Sequence, residues 1–404
     1  MEICKRLGRG VLLPALLAVA IGAAVGAVDA VFGRGLLWLS ALRDRHVFPL
    51  VCFLPLAGVA IVLAYRRFGR GSERGMGLVF GAGHGTAQEI PLRLIPLIIG
   101  GTWLTHLCGG SAGREGVAVQ IGAAVGHGVG RRLPLADGGR IFLIAGMAAG
   151  FGGLFRTPVA ATFFALEVLT AGALEYAALL PAAVAAFAAA QVSGALGLEK
   201  FTVPLGLEAA ATPAVVAALA AAGIAFGAAG GLFARLLAWA KGRLAALLPN
   251  SVARIALGGA AAALLLLLCG GRYAGLGTNL IALATSGGEI LWWDWAAKFL
   301  LTVLTLAAGY QGGEVTPLFA IGACLGAALA PLLGLPALLL AALGYAAVFG
   351  AATNTLLAPV FIGAEVFGYQ YLPWFFAVCA LAYVFSGDSS IYGGQRRRTK
   401  KDGA

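Results

Sequence analysis

A series of apolar runs, many too short to cross a bilayer and interrupted by glycine, restricts this chain more than any other feature. A perpendicular helix needs about 20 residues to span the hydrocarbon core, and the runs at 76–85, 92–108, 117–129, 141–154 and 159–171 fall short of that. In lipid every backbone N–H and C=O must be satisfied internally, so such pieces behave as tilted or half-crossing helices with ends buried in protein. The stretch 109–117, Gly-Gly-Ser-Ala-Gly-Arg-Glu-Gly-Val, places Arg114 and Glu115 between glycines in surroundings of Leu, Ile, Val and Ala. An ionisable pair at membrane depth is costly and usually faces a pathway or a partner. A helix restarting at Val117 aims its first-turn N–H groups and the positive end of its dipole at that spot, which suits an anion. Glu115 is then an anion the protein carries for itself, competing with an external one for a helix-end site.

Composition supports the membrane reading. The 404 residues are 60% hydrophobic and 11% charged, against roughly a quarter charged in soluble proteins. The 61 glycines are more than twice the usual share of about 7%, and glycine serves where membrane helices break or pack closely. The net charge of +11 gathers at Lys5, Arg6 and Arg9, at Arg66, Arg67, Arg70 and Arg74, and at Arg396, Arg397, Arg398, Lys400 and Lys401. By the positive-inside rule both termini and the 66–74 loop are cytoplasmic, in the inner (plasma) membrane of the cell. Charge flanking membrane spans in this way is no folded basic face, so nucleic acid is not an expected partner. The first run, Val11 to Phe32, has no obvious cleavage site and reads as a retained helix; 34–46 reads as an outward loop and 48–65 as the return. Trp292, Trp293 and Trp295 beside Asp294 read as an interfacial belt. The scattered cysteines read as small core residues.

Internal similarity organises the chain. Ile121-Gly122-Ala123-Ala124-Val125-Gly126 recurs 200 positions later as Ile321-Gly322-Ala323-Cys324-Leu325-Gly326, each trailing a Gly-rich motif with a glutamate, Glu115 or Glu314. Gly146-x-Ala148-Ala149-x-Phe151-Gly152 matches Gly344-x-Ala346-Ala347-x-Phe349-Gly350, and Glu167-Val168 matches Glu365-Val366, both offset by 198. The division that follows is a first membrane repeat at 1–196, a connector at 197–213, a second repeat at 214–394 and a short basic cytoplasmic tail at 395–404, with no soluble domain expected after it. Two such halves of broken helices describe many secondary transporters, whose repeats are often inverted.

These motifs resemble the CLC family of chloride channels and anion/proton exchangers over essentially the whole chain. Gly113-Arg114-Glu115-Gly116-Val117 looks like the family's G-R-E-G-P segment, with Val117 where proline is usual. Gly75-Met76-Gly77-Leu78-Val79 looks like G-S-G-I-P, with Met76 in place of the anion-coordinating serine, and Gly312 to Pro317 looks like G-x-x-F-x-P, with Val315 at the phenylalanine. Tyr392 matches the coordinating tyrosine near the C-terminal end. Taken together, the substitutions are similar to the fluoride/proton antiporter branch, CLC-F. The resemblance implies an all-α polytopic membrane protein of two inverted repeats of tilted, broken helices, forming a homodimer with one pathway per subunit. It also implies that Glu115 is the external gate and proton carrier.

The residue readings are these. Met76 falls where a serine would bind an anion and reads as pore lining ahead of core filling. Phe80, one turn on, can turn its positive ring edge to an anion or could equally be packing. Tyr392 offers a single phenolic donor, and Thr316 lies at a helix start where N–H groups are free. Val117 and Val315 complete the anion-binding set. Glu314 is a second carboxylate in a glycine-rich break and a candidate proton relay. Glu167 and Glu365, equivalent in the repeats, point to a shared structural task, and Val168 leaves the inner proton route open. Arg114 reads as structural, not as an ion-pair partner of Glu115, since adjacent helical residues do not face one another. His46, His84, His106 and His127 show no metal spacing; neither metal nor cofactor is expected, and no nucleophile or catalytic dyad suggests an enzyme. The function expected is export of fluoride in exchange for protons. The rivals are a chloride/proton antiporter or passive anion channel of the same fold and, more distantly, a cation/proton carrier, which the helix starts disfavour.

Overall fold

A computed structural model describes residues 12–397 apart from 88, 135–136 and 207–211. Cys4, Glu208 and the basic clusters at 5–9 and 398–401 lie outside the described residues. Helices dominate: α1 (Leu13–Arg45), α2 (Val47–Cys52), α3 (Leu54–Phe68), α4 (Met76–Gly83), α5 (Leu94–Leu107), α6 (Glu115–Gly130), α7 (Gly138–Phe155), α8 (Pro158–Glu167) and α9 (Leu179–Ala195) precede the connector. After it come α10 (Pro213–Leu247), α11 (Ser251–Leu268), α12 (Thr278–Ser286), α13 (Asp294–Ala308), α14 (Val315–Leu333), α15 (Ala337–Thr353), α16 (Leu357–Phe367) and α17 (Leu372–Phe385). Among the described residues six helices are long and apolar enough to cross a membrane. Large apolar side chains stand exposed on the outside, among them Leu16, Val31, Leu56, Leu264 and Leu332, as a lipid-facing surface requires.

The long helix α1 corrects the expected loop at 34–46. Gly33 and Gly35 look like a break in sequence, yet they are close-packing positions: a Cβ on Gly33 would lie 2.9 Å from Leu198, and one on Gly35 would lie 2.6 Å from the Trp103 indole. The helix therefore runs on to Arg45. The expected return helix is instead two pieces, parted at Phe53, with Pro55 opening α3.

Close glycine contacts assemble the rest, as expected where apolar side chains gain little by leaving lipid. α6 lies against α7 with Gly122 on the Gly146 carbonyl and Gly126 on the Phe142 carbonyl, and α14 lies against α15 with Gly322 on the Gly344 carbonyl and Gly326 on the Leu340 carbonyl. No Cβ fits at any of the four.

Glu167 and Glu365 form reciprocal caps. Glu167, the last residue of α8, accepts from the amides of Leu356, Leu357 and Ala358 at the start of α16 (3.1, 3.1 and 2.7 Å). Glu365, near the end of α16, accepts from Val159 and Ala160 at the start of α8 (3.2 and 2.9 Å). Each carboxylate satisfies donors that the opposite helix leaves free. Glu365→Ala is expected to lower stability by about 1–2 kcal/mol, read as an earlier unfolding transition in detergent, with Glu365→Gln losing less.

The segment after α17 turns back into the protein. Ile391 donates to the Ala352 carbonyl (2.9 Å), and Arg396 donates to that of Leu169 (3.1 Å). The two-residue strands β1 (Thr170–Ala171) and β2 (Arg396–Arg397) pair in parallel. This return carries Tyr392 inward, to 4% exposure. Of the described cysteines, Cys108, Cys324 and Cys379 are buried as expected, whereas Cys52 and Cys269 are exposed at helix ends.

Candidate functional site

The two Gly-rich breaks meet. Gly113 donates to the Gly313 carbonyl (2.5 Å) and Gly313 to the Gly113 carbonyl (2.8 Å), an antiparallel bridge just ahead of α6 and α14. Only glycine allows this approach: a Cβ on Gly113 would lie 2.9 Å from the Pro317 ring, and one on Gly313 would lie 2.9 Å from the Gly116 amide nitrogen. The glycine pattern around Arg114-Glu115 and Glu314 thus joins two helix starts at one point.

Glu115 is fully buried there. Its Oε2 accepts from the Thr316 amide at 3.0 Å and from the Arg114 amide at 3.2 Å, and the Thr316 hydroxyl donates to the carboxylate at 2.6 Å. The carboxylate occupies a helix-end site, with one difference from expectation. α6 begins at Glu115 itself, two residues before Val117. The helix start receiving the charge is that of α14, where Thr316 is the second residue.

Arg114 also departs from expectation. Its Nε stands 3.6 Å from Glu115 Oε1, because Arg114 lies outside the helix at φ −125° and ψ −22°. The rule that neighbouring residues diverge holds within a helix, not across its first residue. Arg114 Nε and Nη1 are buried without a hydrogen-bond partner.

Tyr392 is the next buried polar group. Its hydroxyl has no hydrogen-bond partner, and it interacts electrostatically with both Glu314 and Glu115. Its ring stands 5.5 Å from that of Phe80 and meets Phe164 edge-on at 6.3 Å. Phe80 is 2% exposed. Met76, one turn before it at the start of α4, is half-buried against the same core. Val117 and Val315 are buried at the crossing. The Val117 amide donates to the Arg114 carbonyl at 3.2 Å, which leaves its side chain as an apolar wall.

Glu314 addresses the opposite helix start. Its Oε2 lies 3.9 Å from where a Cβ on Gly116 would stand, while Oε1 is 3.5 Å from Lys241 Nζ. Lys241 opens on a cleft of about 410 Å³ whose walls include Tyr65, Arg66, Glu73 and Arg254. The two glutamates thus sit on different sides of one crossing, Glu115 enclosed and Glu314 next to a cleft.

Several participants escaped the sequence reading. Lys241 stands in α10 between Arg235 and Arg243, and nothing in that spacing marks it as the partner of Glu314. Gln120 donates to the Gly116 carbonyl at 3.0 Å and keeps a buried Oε1 unpaired, facing Gly75. The loop ahead of Arg114 is anchored by His106, which spans the Thr102 and Ala112 carbonyls (2.8 and 2.9 Å). Lys298 also holds it, donating to Ser111 Oγ at 2.9 Å and to the Tyr273 and Gly275 carbonyls. Lys241 and Lys298 come from helices distant in sequence, so no local motif marks them, whereas His106 and Gln120 stand 6 and 4 residues from their partners Ala112 and Gly116.

The profile of the family described as "Voltage gated chloride channel" matches residues 57–387. The chain belongs to the voltage-gated chloride channel family. Within that family it is 38% identical over 379 residues to the "Chloride/fluoride channel protein" of Pseudomonas syringae pv. tomato, covering 92% of this chain and 83% of that protein. A solved structure described as a CLC-type fluoride/proton antiporter superposes with a TM-score of 0.94 at 51% identity, covering 96% of this chain and 98% of that one. A slow cyanobacterial Cl⁻/H⁺ antiporter, 19% identical, shares the fold with a TM-score of 0.81 and covers 94% of this chain and 96% of that one. The helical architecture described above is therefore the CLC fold, and the chain is a membrane-spanning member of a transporter and channel family.

Proposed function

We propose that the chain is a secondary active transporter that exports fluoride in exchange for protons. The observation that carries this reading is the Glu115 carboxylate seated on the Thr316 amide and hydroxyl, a site built for an anion and filled by the protein's own. The 38% identity to a chloride/fluoride channel protein and the 51% identity to a fluoride/proton antiporter support fluoride as the anion.

In the cycle, Glu115 takes a proton, loses its attraction to the donors and withdraws. Fluoride then enters at Thr316, with the Tyr392 hydroxyl as a further donor and Met76, Phe80, Val117 and Val315 as walls. The small, strongly hydrated anion exchanges water for N–H and O–H donors. Glu314 relays protons toward the Lys241 cleft. Inward proton and outward fluoride both carry positive charge inward, each worth about 2.3 kcal/mol per 100 mV of interior-negative potential.

The working unit is a homodimer in the inner membrane with both termini cytoplasmic. Each subunit comprises inverted repeats at 1–196 and 214–394, joined by 197–213, with 395–404 as a basic tail. Reconstituted vesicles loaded with fluoride, followed with a fluoride electrode and a pH electrode together, test the function. Fluoride release with proton uptake supports exchange. Release without proton movement would identify a passive channel, and equal handling of chloride would make it a chloride/proton antiporter.

Tyr392→Phe tests the donor role. Loss of one hydrogen bond to a charged group, about 1.5–3 kcal/mol, is expected to weaken fluoride binding about tenfold or more. Stability should hardly change, because the hydroxyl has no protein partner to lose. Unchanged fluoride affinity would remove Tyr392 from the site.

A further inference from the structure

Asp29 occupies the middle of α1, sixteen residues from Leu13 and sixteen from Arg45, about 24 Å from either end at 1.5 Å per residue. It is fully buried, and neither carboxylate oxygen has a hydrogen-bond partner. The fold keeps room for it: a Cβ on Gly153 of α7 would lie 2.5 Å from Asp29 Oδ2. An ionisable side chain held unpaired at mid-depth is retained for a task, since any apolar residue would be cheaper there.

Gly126, Gly122 and Ala118 of α6 lie against Phe142, Gly146 and Gly150 of α7, so the start of α6 at Arg114–Glu115 comes level with Gly153 and Asp29. Arg114 is the cation that acts on Asp29, and its Nε faces Glu115 while Nε and Nη1 lack hydrogen-bond partners. The other packed elements offer no comparable charge. α9 carries no charged residue. α5 offers His106, which is engaged with two carbonyls, and α6 adds only Glu115 and His127, the latter hydrogen-bonded to the Gly139 carbonyl. On α7, Arg140 is paired with Glu175, and Arg156, beyond the end of that helix, donates to the Leu198 carbonyl at 3.3 Å. One guanidinium therefore acts on two carboxyl groups, Glu115 at 3.6 Å and Asp29 across the contact of α1 with the start of α6.

We propose that Asp29 is a second proton-holding carboxyl of the transport cycle, exchanging its proton with Glu115 across the shared Arg114 guanidinium. This rests on Glu115 being the gate. While Glu115 is ionised and seated at α14, it neutralises Arg114 and Asp29 keeps its proton. As Glu115 leaves and fluoride takes its place, the Asp29 O–H bond breaks and an O–H bond forms on Glu115 beside the Arg114 guanidinium. Asp29, now a carboxylate, inherits Arg114 as counter-ion. The proton count is unchanged in this transfer, and Asp29 then takes one proton from solution, so that one proton enters per fluoride bound. Arg114 stays protonated throughout, and when Glu115 ionises again its proton leaves by way of Glu314 toward the Lys241 cleft.

The test compares wild type with Asp29→Asn, which keeps shape but holds no exchangeable proton, in fluoride-loaded vesicles with both ions recorded over a range of external pH. Wild type is the control for the gate reading: fluoride release without proton uptake there would sink the exchange function itself, not the role of Asp29. Given coupled wild type, Asp29→Asn is expected to slow proton uptake at least tenfold and to flatten its pH profile, with fluoride binding retained. Wild-type rate and pH profile in the variant would overturn the proposal. Should the variant not fold, fluoride-induced infrared difference spectra of wild type decide. Followed in time, a transient loss beside the gain in the protonated-carboxyl band supports transfer between two side chains, and a gain alone at every time overturns it.

Discussion

Glu115→Gln is expected to abolish proton movement coupled to fluoride, by at least a hundredfold, while the protein still folds as a transporter-sized particle in detergent. The reasoning is local. Glutamine fills the same volume and can still accept the Thr316 hydrogen bonds, so packing is kept, but it neither gains nor loses a proton in the working range. A neutral amide also leaves Arg114, 3.6 Å away, without its counter-charge. Simultaneous fluoride and pH recording checks this, and continued uphill proton pumping by the variant on addition of fluoride would remove Glu115 from the coupling step.

A large effect on stability is expected from Gly146→Ala. The α6–α7 contact brings the Gly146 and Gly122 backbones together so closely that a Cβ on either falls well inside the other's carbonyl. Backbone cannot yield as a flexible side chain can, so the helices must separate, at a cost of about 3 kcal/mol, the upper end of overpacking. The control is Gly242→Ala near the end of α10, where nothing lies within 4 Å of the added Cβ. There alanine is expected to be neutral or stabilising by up to about 1 kcal/mol through helix propensity. Melting of both variants in detergent distinguishes close packing from a general intolerance of substitution.

The helical fold was legible in sequence because lipid leaves the backbone few options. Runs bounded by glycine and charge became helices, the 141–154 run as α7 (Gly138–Phe155). The misread loop at 34–46 has a clear cause: glycine has two meanings in a membrane helix. At Gly113 and Gly313 it breaks the helix and lets two chain segments meet, whereas at Gly33 and Gly35 it lets a continuous helix lie against Leu198 and Trp103. Sequence alone does not separate these uses, since the deciding atoms belong to other helices. The same limit applied at the candidate site. Glu115, Glu314 and Thr316 stand in recognisable motifs, while Asp29, Lys241 and Lys298 are single charges whose partners lie up to 187 residues away. Offset by about 200 residues, the repeat placed Glu115 and Glu314 in equivalent positions. It did not reveal that Glu115 is bonded to the other half's helix start and not to its own.

The central claim is that the Glu115 carboxylate and fluoride take turns on the same donors. Calorimetric titration of the purified protein with fluoride, repeated across the physiological pH range in buffers of different ionisation enthalpy, tests this most directly. Displacement of the carboxylate is expected to draw in up to one proton per fluoride bound, with affinity rising as pH falls by as much as about tenfold per pH unit, and with both effects absent in Glu115→Gln. Fluoride binding of constant affinity across that range, with no proton taken up, would contradict the account.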